Sequence, residues 1–180
     1  MTRKSVAILQ SNYIPWKGNF DMISMVDEYV IFDDVQYTKR DWRNRNRIVT
    51  KDGFKWLTIP VRNMSFHQKI MDTEIVSGRW AGKHWKILEQ NYKGAAFFSE
   101  QQASIKEMYE RASRENYLSR INYIFLKGIC GLLGIQTDIQ WSTSYHPEGL
   151  NSDRILDICL KAGADEYVSG PAARNYLDVA

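Results

Sequence analysis

The chain has 180 residues, of which 44% are hydrophobic and 25% charged, so we expect one globular domain with a sizeable core. Its formal net charge of +3 is too weak to indicate nucleic-acid binding by itself, and no apolar stretch is long enough to span a membrane. The apolar run after the basic N-terminal residues is too short for a signal peptide. Cys130 and Cys159 lack CxxC or metal-ligand spacing, which favours buried thiols and a cytoplasmic location.

The chain begins with a strand–helix–strand pattern. An apolar run at residues 6–9 predicts a buried strand, and Phe20, Ile23 and Val26 then recur at the spacing of one helix face. A second apolar run at residues 29–32 predicts the next strand. Two strands joined through a helix form a parallel pair, so this segment predicts a parallel sheet.

A β-hairpin insertion is predicted at about residues 43–61. The Asp52-Gly53 pair is a strong turn signal between flanks rich in β-branched and aromatic residues. The first strand of the hairpin follows directly on the one concentrated basic patch of the sequence, at residues 39–47. The hairpin is therefore expected to carry this patch as an insertion in the α/β core.

Alternating residues of the hairpin have different chemistry. In a continuous strand, Arg43, Arg45 and Arg47 would lie on one face, and Asn44 and Asn46 on the other. A guanidinium group is a planar fork that fits phosphate or carboxylate. We therefore predict that these arginines bind an anionic substrate, with a solvated basic surface as the alternative.

The second half of the chain supplies helices and two further core strands. Apolar periodicity predicts three helices in a helical segment at about residues 80–134, and residues 69–76 are predicted to form a short strand before it. Core strands are predicted at residues 136–141 and 166–168, with a helix between them.

Polar residues follow all four predicted core strands, namely Gln10-Ser11-Asn12, Asp33-Asp34, Ser142-Thr143-Ser144 and Ser169-Gly170. In open α/β sheets, ligands bind outside the carboxyl ends of the strands. We therefore predict a single α/β domain over residues 1–180, with a mostly parallel Rossmann-like sheet and a binding site at that edge.

Asp33 and Asp34 are candidates to transfer a proton or to bind a hydroxyl group, an amine group or Mg²⁺. As neighbours in a strand they point to opposite faces, so both cannot meet one reacting atom without a bend. The alternative is an acidic pair neutralised by Arg40 or Arg43. His146, after the third core strand, is the best candidate for a general base. The three histidines are too dispersed to predict a metal site.

Residues 7–21, which read Ala-Ile-Leu-Gln-Ser-Asn-Tyr-Ile-Pro-Trp-Lys-Gly-Asn-Phe-Asp, resemble the WbqC-like family. The resemblance extends over essentially the whole chain, through residues 32–37, 39–46, 56–61, 157–159 and 167–177. Ser11 stands where the family commonly has proline, and Asn19 where it often has an aromatic residue. Members usually continue past the last motif into a further strand and helix, so we expect a C-terminal part of the site to be absent from this chain.

The resemblance implies a bacterial protein encoded with genes for surface polysaccharides, such as the O-antigen of lipopolysaccharide. The recurrent polar positions of the family fall here on Gln10, Asn12, Asp33, Asp34, Arg43, Asn44, Arg45, Asn46, Ser169 and Arg174. Residues 15–18 and 169–174 are also distantly similar to nucleotidyltransferases of the HxGH type, although both histidines of that motif are absent.

Our leading hypothesis is an enzyme that binds a nucleotide-activated sugar or other phosphorylated small molecule and transfers an acyl or aminoacyl group to an amino sugar. Its candidate catalytic residues are Asp33, Asp34 and His146. Its candidate substrate-binding residues are Gln10, Asn12, Tyr13, Trp16, Arg43, Asn44, Arg45, Asn46, Arg47, Ser169 and Arg174. The alternatives are a nucleotidyltransferase-like enzyme and a non-catalytic partner of polysaccharide enzymes. The cofactor and the oligomeric state stay open.

Overall fold

The computed structural model describes residues 3–62, 65–171 and 173, and the chain packs into two compact units. The sheet unit comprises the described residues of 1–10, 16–34 and 134–180, and the hairpin–helix unit comprises those of 11–15 and 35–133. The single domain expected over residues 1–180 stays a prediction. Within the described ranges, no helix is both long enough and apolar enough to cross a bilayer.

Strands and helices alternate at the start of the chain and again near its end. In chain order they are β1 (Ser5–Leu9), α1 (Lys17–Ser24), β2 (Glu28–Ile31), β3 (Arg45–Thr50), β4 (Gly53–Thr58), α2 (Arg79–Tyr92), α3 (Phe98–Ala112), α4 (Leu118–Leu132), β5 (Asp138–Trp141), α5 (Asn151–Lys161) and β6 (Glu166–Val168). A 3₁₀ turn at Ser142–Tyr145 follows β5.

The sheet unit is built on a four-stranded sheet in the order β5–β2–β1–β6, with every pair parallel. Ala7 in β1 pairs with Tyr29 in β2 on one side and with Val168 in β6 on the other. Residues 6–8 are all buried, as expected for a central strand with apolar residues on both faces. The predicted α/β fold with a parallel sheet is confirmed.

The hairpin–helix unit contains the antiparallel hairpin β3–β4 as a separate two-stranded sheet, followed by α2, α3 and α4. Gly53, at the turn, has φ = 104°, a conformation that favours glycine. Leu57 of the hairpin belongs to one buried cluster with Trp80, Tyr109 and Phe125 of the helices. The predicted hairpin and helical segment are both confirmed.

The predicted strand at residues 69–76 is wrong. This segment makes isolated bridges instead, through Lys69, Glu74 and Ile75. Backbone hydrogen bonds from Asp72 to Lys69 and from Thr73 to Ile70 close tight turns within it, and these turns break the extended conformation that a strand requires.

Candidate functional site

The parallel sheet brings several of the predicted site residues to one edge. Gln10, Asp33 and Ser169 follow the carboxyl ends of β1, β2 and β6. The strand order runs from β1 outward to β2 and β5, then returns to β6 on the other side of β1. In α/β sheets, the crevice at such a reversal is the usual ligand site. Asp33 is only 1% exposed. Arg174 lies outside the described residues.

Asp34 is buried with both carboxylate oxygens engaged. Oδ1 accepts a hydrogen bond from the Ser142 hydroxyl, and Oδ2 forms an ion pair with the Arg154 guanidinium. Arg154 also donates to Pro147 O at 2.7 Å. Asp34 therefore connects the end of β2 to the turn after β5 and to α5. Asp34, one member of the acidic pair, is thus neutralised by Arg154.

His146 ends the 3₁₀ turn with its side chain exposed. Its backbone is left-handed, with φ = 45°, and this conformation costs energy for a residue other than glycine. Its N–H donates to Thr143 O at 3.2 Å, and its carbonyl oxygen accepts from Lys161 Nζ at 3.0 Å. The main chain of His146 is therefore fixed while the imidazole faces solvent.

In the hairpin–helix unit, Arg43 binds the β1 loop, defined as residues 11–14. Its Nη1 donates hydrogen bonds to Asn12 Oδ1 and to Ser11 O, the latter at 3.3 Å. Asn122 of α4 donates to Ser11 Oγ at 2.9 Å and to Arg43 O at 3.0 Å. These contacts connect the loop to the residue before the hairpin and to a buried helix position.

Asn46 and Trp42 hold the rest of the β1 loop. Asn46 Nδ2 donates to the carbonyl oxygens of Tyr13 and Ile14, and Tyr13 N donates to Trp42 O at 3.0 Å. Ile14 has φ = 49°, which is a strained conformation for a β-branched residue. The side-chain amide of Asn46 therefore helps to hold a conformation that Ile14 does not favour by itself.

The predicted alignment of three arginines on one strand face is wrong for Arg43. The strand begins at Arg45, so Arg43 and Asn44 lie in the turn that precedes it. Asn44 is buried, and its Nδ2 donates to Ile59 O at 2.9 Å. The side chains of Arg43, Asn44 and Asn46 therefore donate hydrogen bonds to backbone carbonyl oxygens of the protein itself.

Arg45 and Arg47 lie instead on the outer face of the hairpin, defined by Trp42, Arg45, Arg47, Phe54 and Trp56. The Arg45 guanidinium lies 4.3 Å from the centroid of Trp56 and donates to Arg40 O. The Arg47 guanidinium lies 5.0 Å from the ring of Phe54 and 5.5 Å from that of Trp56. The ring centroids of Trp42 and Trp56 are 5.5 Å apart, and each residue is 44% exposed.

Tyr13 is fully buried in a hydrogen-bonded chain with His84 and Tyr109. Its hydroxyl lies 2.9 Å from His84 Nδ1 and 2.7 Å from the Tyr109 hydroxyl. Tyr13 is thus the middle member of this hydrogen-bonded chain, with His84 on one side and Tyr109 on the other.

Burial is the main cause of the shifted pKa values of Tyr13, His84 and Tyr109. It lowers the pKa of His84 to about 4, so the imidazole is neutral at pH 7. Burial also raises the pKa of Tyr13 and Tyr109, so both hydroxyls keep their protons. The predicted substrate contact of Tyr13 stays a prediction, whereas its observed contacts stabilise the β1 loop from within the core.

Three residues with central roles in these contacts were not singled out from the sequence as site residues: Asn122, His84 and Arg154. Each lies on a helix at a position that periodicity alone assigns to packing. Their side-chain partners Tyr13, Ser11 and Asp34 are more than 70 residues away in the chain, so local sequence carries no signal for the pairing. No three His, Cys, Asp or Glu side chains converge as a metal site in the part of the chain that the structure describes.

Comparison with known proteins identifies the family. Residues 10–180 match the WbqC-like protein family. The chain is 49% identical over 176 residues to a Mycobacterium tuberculosis (strain ATCC 25618 / H37Rv) protein named "Uncharacterized protein Rv1507c", covering 97% of this chain and 76% of that protein. No solved structure matches the chain. The family match spans nearly the whole sequence, and the chain belongs to the WbqC-like protein family.

Proposed function

We propose that this protein is an enzyme of bacterial surface-polysaccharide biosynthesis that binds a nucleotide-activated sugar and transfers an acyl or aminoacyl group to an amino sugar. The observation that carries the binding part of this proposal is the outer face of the hairpin. Exposed guanidinium and indole groups are combined there, as recognition of a phosphorylated ligand with a ring requires.

Arg47 is the anion-binding group of this face. Its guanidinium contacts three aromatic rings and makes no hydrogen bond or ion pair with any described residue. Its N–H donors are therefore available to phosphate oxygens, and the aromatic contacts restrict its orientation before a ligand arrives. Arg43 and Arg45 each donate to backbone oxygen atoms, so Arg47 carries the phosphate contact.

The indoles of Trp42 and Trp56 are proposed to bind a base or pyranose ring. A tilt of 37° between them and an exposure of 44% each leave part of both rings accessible. Lys39 and Arg40 are exposed in the preceding loop and add positive charge. Asp41 is the one acidic residue among positions 36–47, and it accepts hydrogen bonds from Thr38 and from Trp42 N.

In the sheet unit, Asp33, Asp34 and His146 remain the proposed catalytic residues. Both oxygens of Asp34 are already engaged, which disfavours Asp34 as the group that transfers a proton. Nucleotide sugars are cytoplasmic metabolites, and we propose the cytoplasm as the location of the protein. Its two buried free cysteines fit that compartment.

The test is a titration with a panel of nucleotide sugars by calorimetry, at low and moderate salt. Arg47→Gln should weaken the binding of the ligand that the wild type selects by about 1.5–3 kcal/mol, the range for a charge-assisted hydrogen bond. Lys55→Gln is the matched control, because it removes one charge from the neighbouring strand on the opposite face. Equal affinity of the Arg47 variant and the wild type would refute the binding site.

A second candidate function is nucleotidyl transfer, favoured by the strand order β5–β2–β1–β6. In order of appearance along the chain, the sheet reads 3-2-1-4, as in a mononucleotide-binding α/β half. This function predicts pyrophosphate release from a nucleoside triphosphate and a sugar phosphate. If no small ligand binds, the outer face is better explained as a surface for a protein partner.

A further inference from the structure

Trp16 is a large aromatic side chain that lies almost fully in solvent. It immediately precedes α1 and is 71% exposed. A single exposed aromatic side chain is common at protein surfaces, so its role depends on its surroundings. In the sheet unit, α1 follows β1 along the chain, and α/β proteins bind ligands at the carboxyl ends of such strands.

Gly18 holds one face of the Trp16 indole. A Cβ atom built at Gly18 would lie 2.2 Å from Cη2 of the ring, and 2.5 and 2.6 Å from the two carbons bonded to Cη2. These distances place the added atom directly above the ring rather than beyond its edge. The indole therefore packs face-on against the glycine, and any other residue at position 18 would displace it.

The tip of the Trp16 indole thus contacts Gly18, while most of the ring is exposed and accessible to a stacked ligand. We define Trp16 and Gly18 as the indole platform. It explains a glycine inside a helix, where glycine is otherwise less favourable than alanine.

The surroundings of the indole platform favour an anion. The exposed Lys17 lies between its two residues, and the first turn of α1 contains no acidic side chain. The first N–H groups of a helix have no partner within the helix and attract phosphate. Asn19, in the same turn, is a buried polar residue.

The sheet topology independently indicates the same place. The order of strands reverses between β1 and β6, and a ligand crevice is expected at that reversal. The segment after β6 runs beside α1, since a Cβ at Gly170 would lie 3.9 Å from Met22 Cε. The helix that begins after Trp16 therefore passes close to the segment after β6.

We propose that the indole platform binds the base of a nucleoside phosphate, with the phosphate at Lys17 and the first turn of α1. This site lies in the sheet unit and does not depend on ligand binding by the outer face of the hairpin. It assigns a function to Trp16 and Gly18 together: the indole stacks on the base, and the glycine is the positioning residue for the indole.

The experiment measures the dissociation constants of ADP and UDP by calorimetry, with ribose 5-phosphate as a probe that lacks a base. Trp16→Ala should weaken the binding of both nucleotides by roughly 5- to 100-fold, the range for loss of one stacked base. It should leave the affinity for ribose 5-phosphate unchanged. Trp16→Phe should retain part of the affinity. Met25→Ala is the control, because it truncates another exposed apolar side chain just after the same helix.

Gly18→Ala tests the platform itself. The substitution is compatible with a helix, and unchanged thermal unfolding would show that the fold is intact. We expect it to weaken ADP about as much as Trp16→Ala does, and the double variant should be no weaker than Trp16→Ala alone, because the glycine acts only through the indole. A further loss in the double variant would overturn the role assigned to Gly18.

Fluorine NMR of 5-fluorotryptophan-labelled protein gives a readout besides affinity. The resonance missing from Trp16→Phe identifies Trp16, and ADP should shift that resonance. Unaltered ADP affinity in Trp16→Ala, or an ADP-insensitive Trp16 resonance, would overturn the proposal. ADP should shift the Trp16 resonance in Arg47→Gln as well, because this resonance reports contact at the indole platform and not at the hairpin, so failure of the two sites can be told apart.

Discussion

The sheet unit and the hairpin–helix unit bury polar groups in different ways. In the sheet unit, the buried carboxylates of Asp34 and Glu28 each pair with a cation, Arg154 and Lys4 respectively. In the hairpin–helix unit, Tyr109, Tyr13 and His84 form a neutral hydrogen-bonded chain. The first arrangement depends on charge balance and the second on keeping one imidazole unprotonated. Substitutions and changes of pH should therefore affect the stability of the two units differently.

The largest expected effect is the loss of the partner of Asp34. Arg154→Met leaves a buried carboxylate without its cation, and removing one member of a buried ion pair typically costs about 3–5 kcal/mol. We expect a value near the lower end, because the Arg154 side chain keeps 23% exposure. The free energy of unfolding from urea titration measures it.

A compensating change sharpens this test. Asp34→Asn removes the unpaired charge, so Asp34→Asn combined with Arg154→Met should be more stable than Arg154→Met alone. Arg111→Met, at an exposed site on α3, is the control for loss of an arginine. If the double variant were less stable than Arg154→Met, charge compensation would not explain the role of Arg154.

The neutral hydrogen-bonded chain of Tyr109, Tyr13 and His84 should make the stability of the protein sensitive to acid. The pKa of His84 is about 4 in the folded protein and near 6.5 in the unfolded chain, so between these values the unfolded state binds more protons. Stability is then fully present above about pH 6.5 and falls as the pH decreases toward 4. The loss attributable to His84 is about 3 kcal/mol.

Other groups also titrate in this range, so the measurement is a difference between variants. His84→Gln removes the titrating ring, and unfolding free energies of this variant and the wild type are compared from pH 7 to pH 4. The wild type should lose more stability over that interval. Parallel curves would show that His84 does not carry the acid response.

Position within the neutral chain should determine the cost of removing a hydroxyl. Tyr13→Phe deprives both Tyr109 and His84 of a partner, so we expect a loss of about 1–3 kcal/mol. Tyr109→Phe removes only a terminal hydroxyl and should cost about 1 kcal/mol. Denaturant unfolding of the two variants gives the comparison, and a greater loss in Tyr109→Phe would contradict the central position of Tyr13 in the hydrogen-bonded chain.

The fold was largely predictable because its signals are local. The apolar run of β1, the helical spacing of Phe20 and Ile23 and the second run at β2 lie within about 30 residues and indicate a parallel pair. The hairpin follows from Asp52-Gly53 in the same way. The strand predicted at residues 69–76 does not form, because tight turns around Asp72 and Thr73 override the β-branched composition of the segment.

The candidate site was less predictable because its contacts are distant in sequence. The location of Asp34 after a strand was evident, but its partner Arg154 is 120 residues away. Period-two alternation placed Arg43 with Arg45 and Arg47, whereas the start of β3 at Arg45 leaves Arg43 to bind the β1 loop. Local pattern indicates which residues are polar, and tertiary packing determines which of them remain available to a ligand.

The smallest expected effect on stability belongs to the outer face of the hairpin. The exposed Arg47 side chain makes only cation–π contacts with the described residues, and a cation–π interaction at an exposed site is worth about 0.5–1 kcal/mol, so Arg47→Gln should lower the free energy of unfolding by no more than about 1 kcal/mol. The same variant is expected to lose far more in ligand affinity. Unfolding and ligand titration on one protein sample measure both quantities. A stability loss as large as that of Arg154→Met would identify Arg47 as structural, because its effect on binding could then follow from unfolding alone.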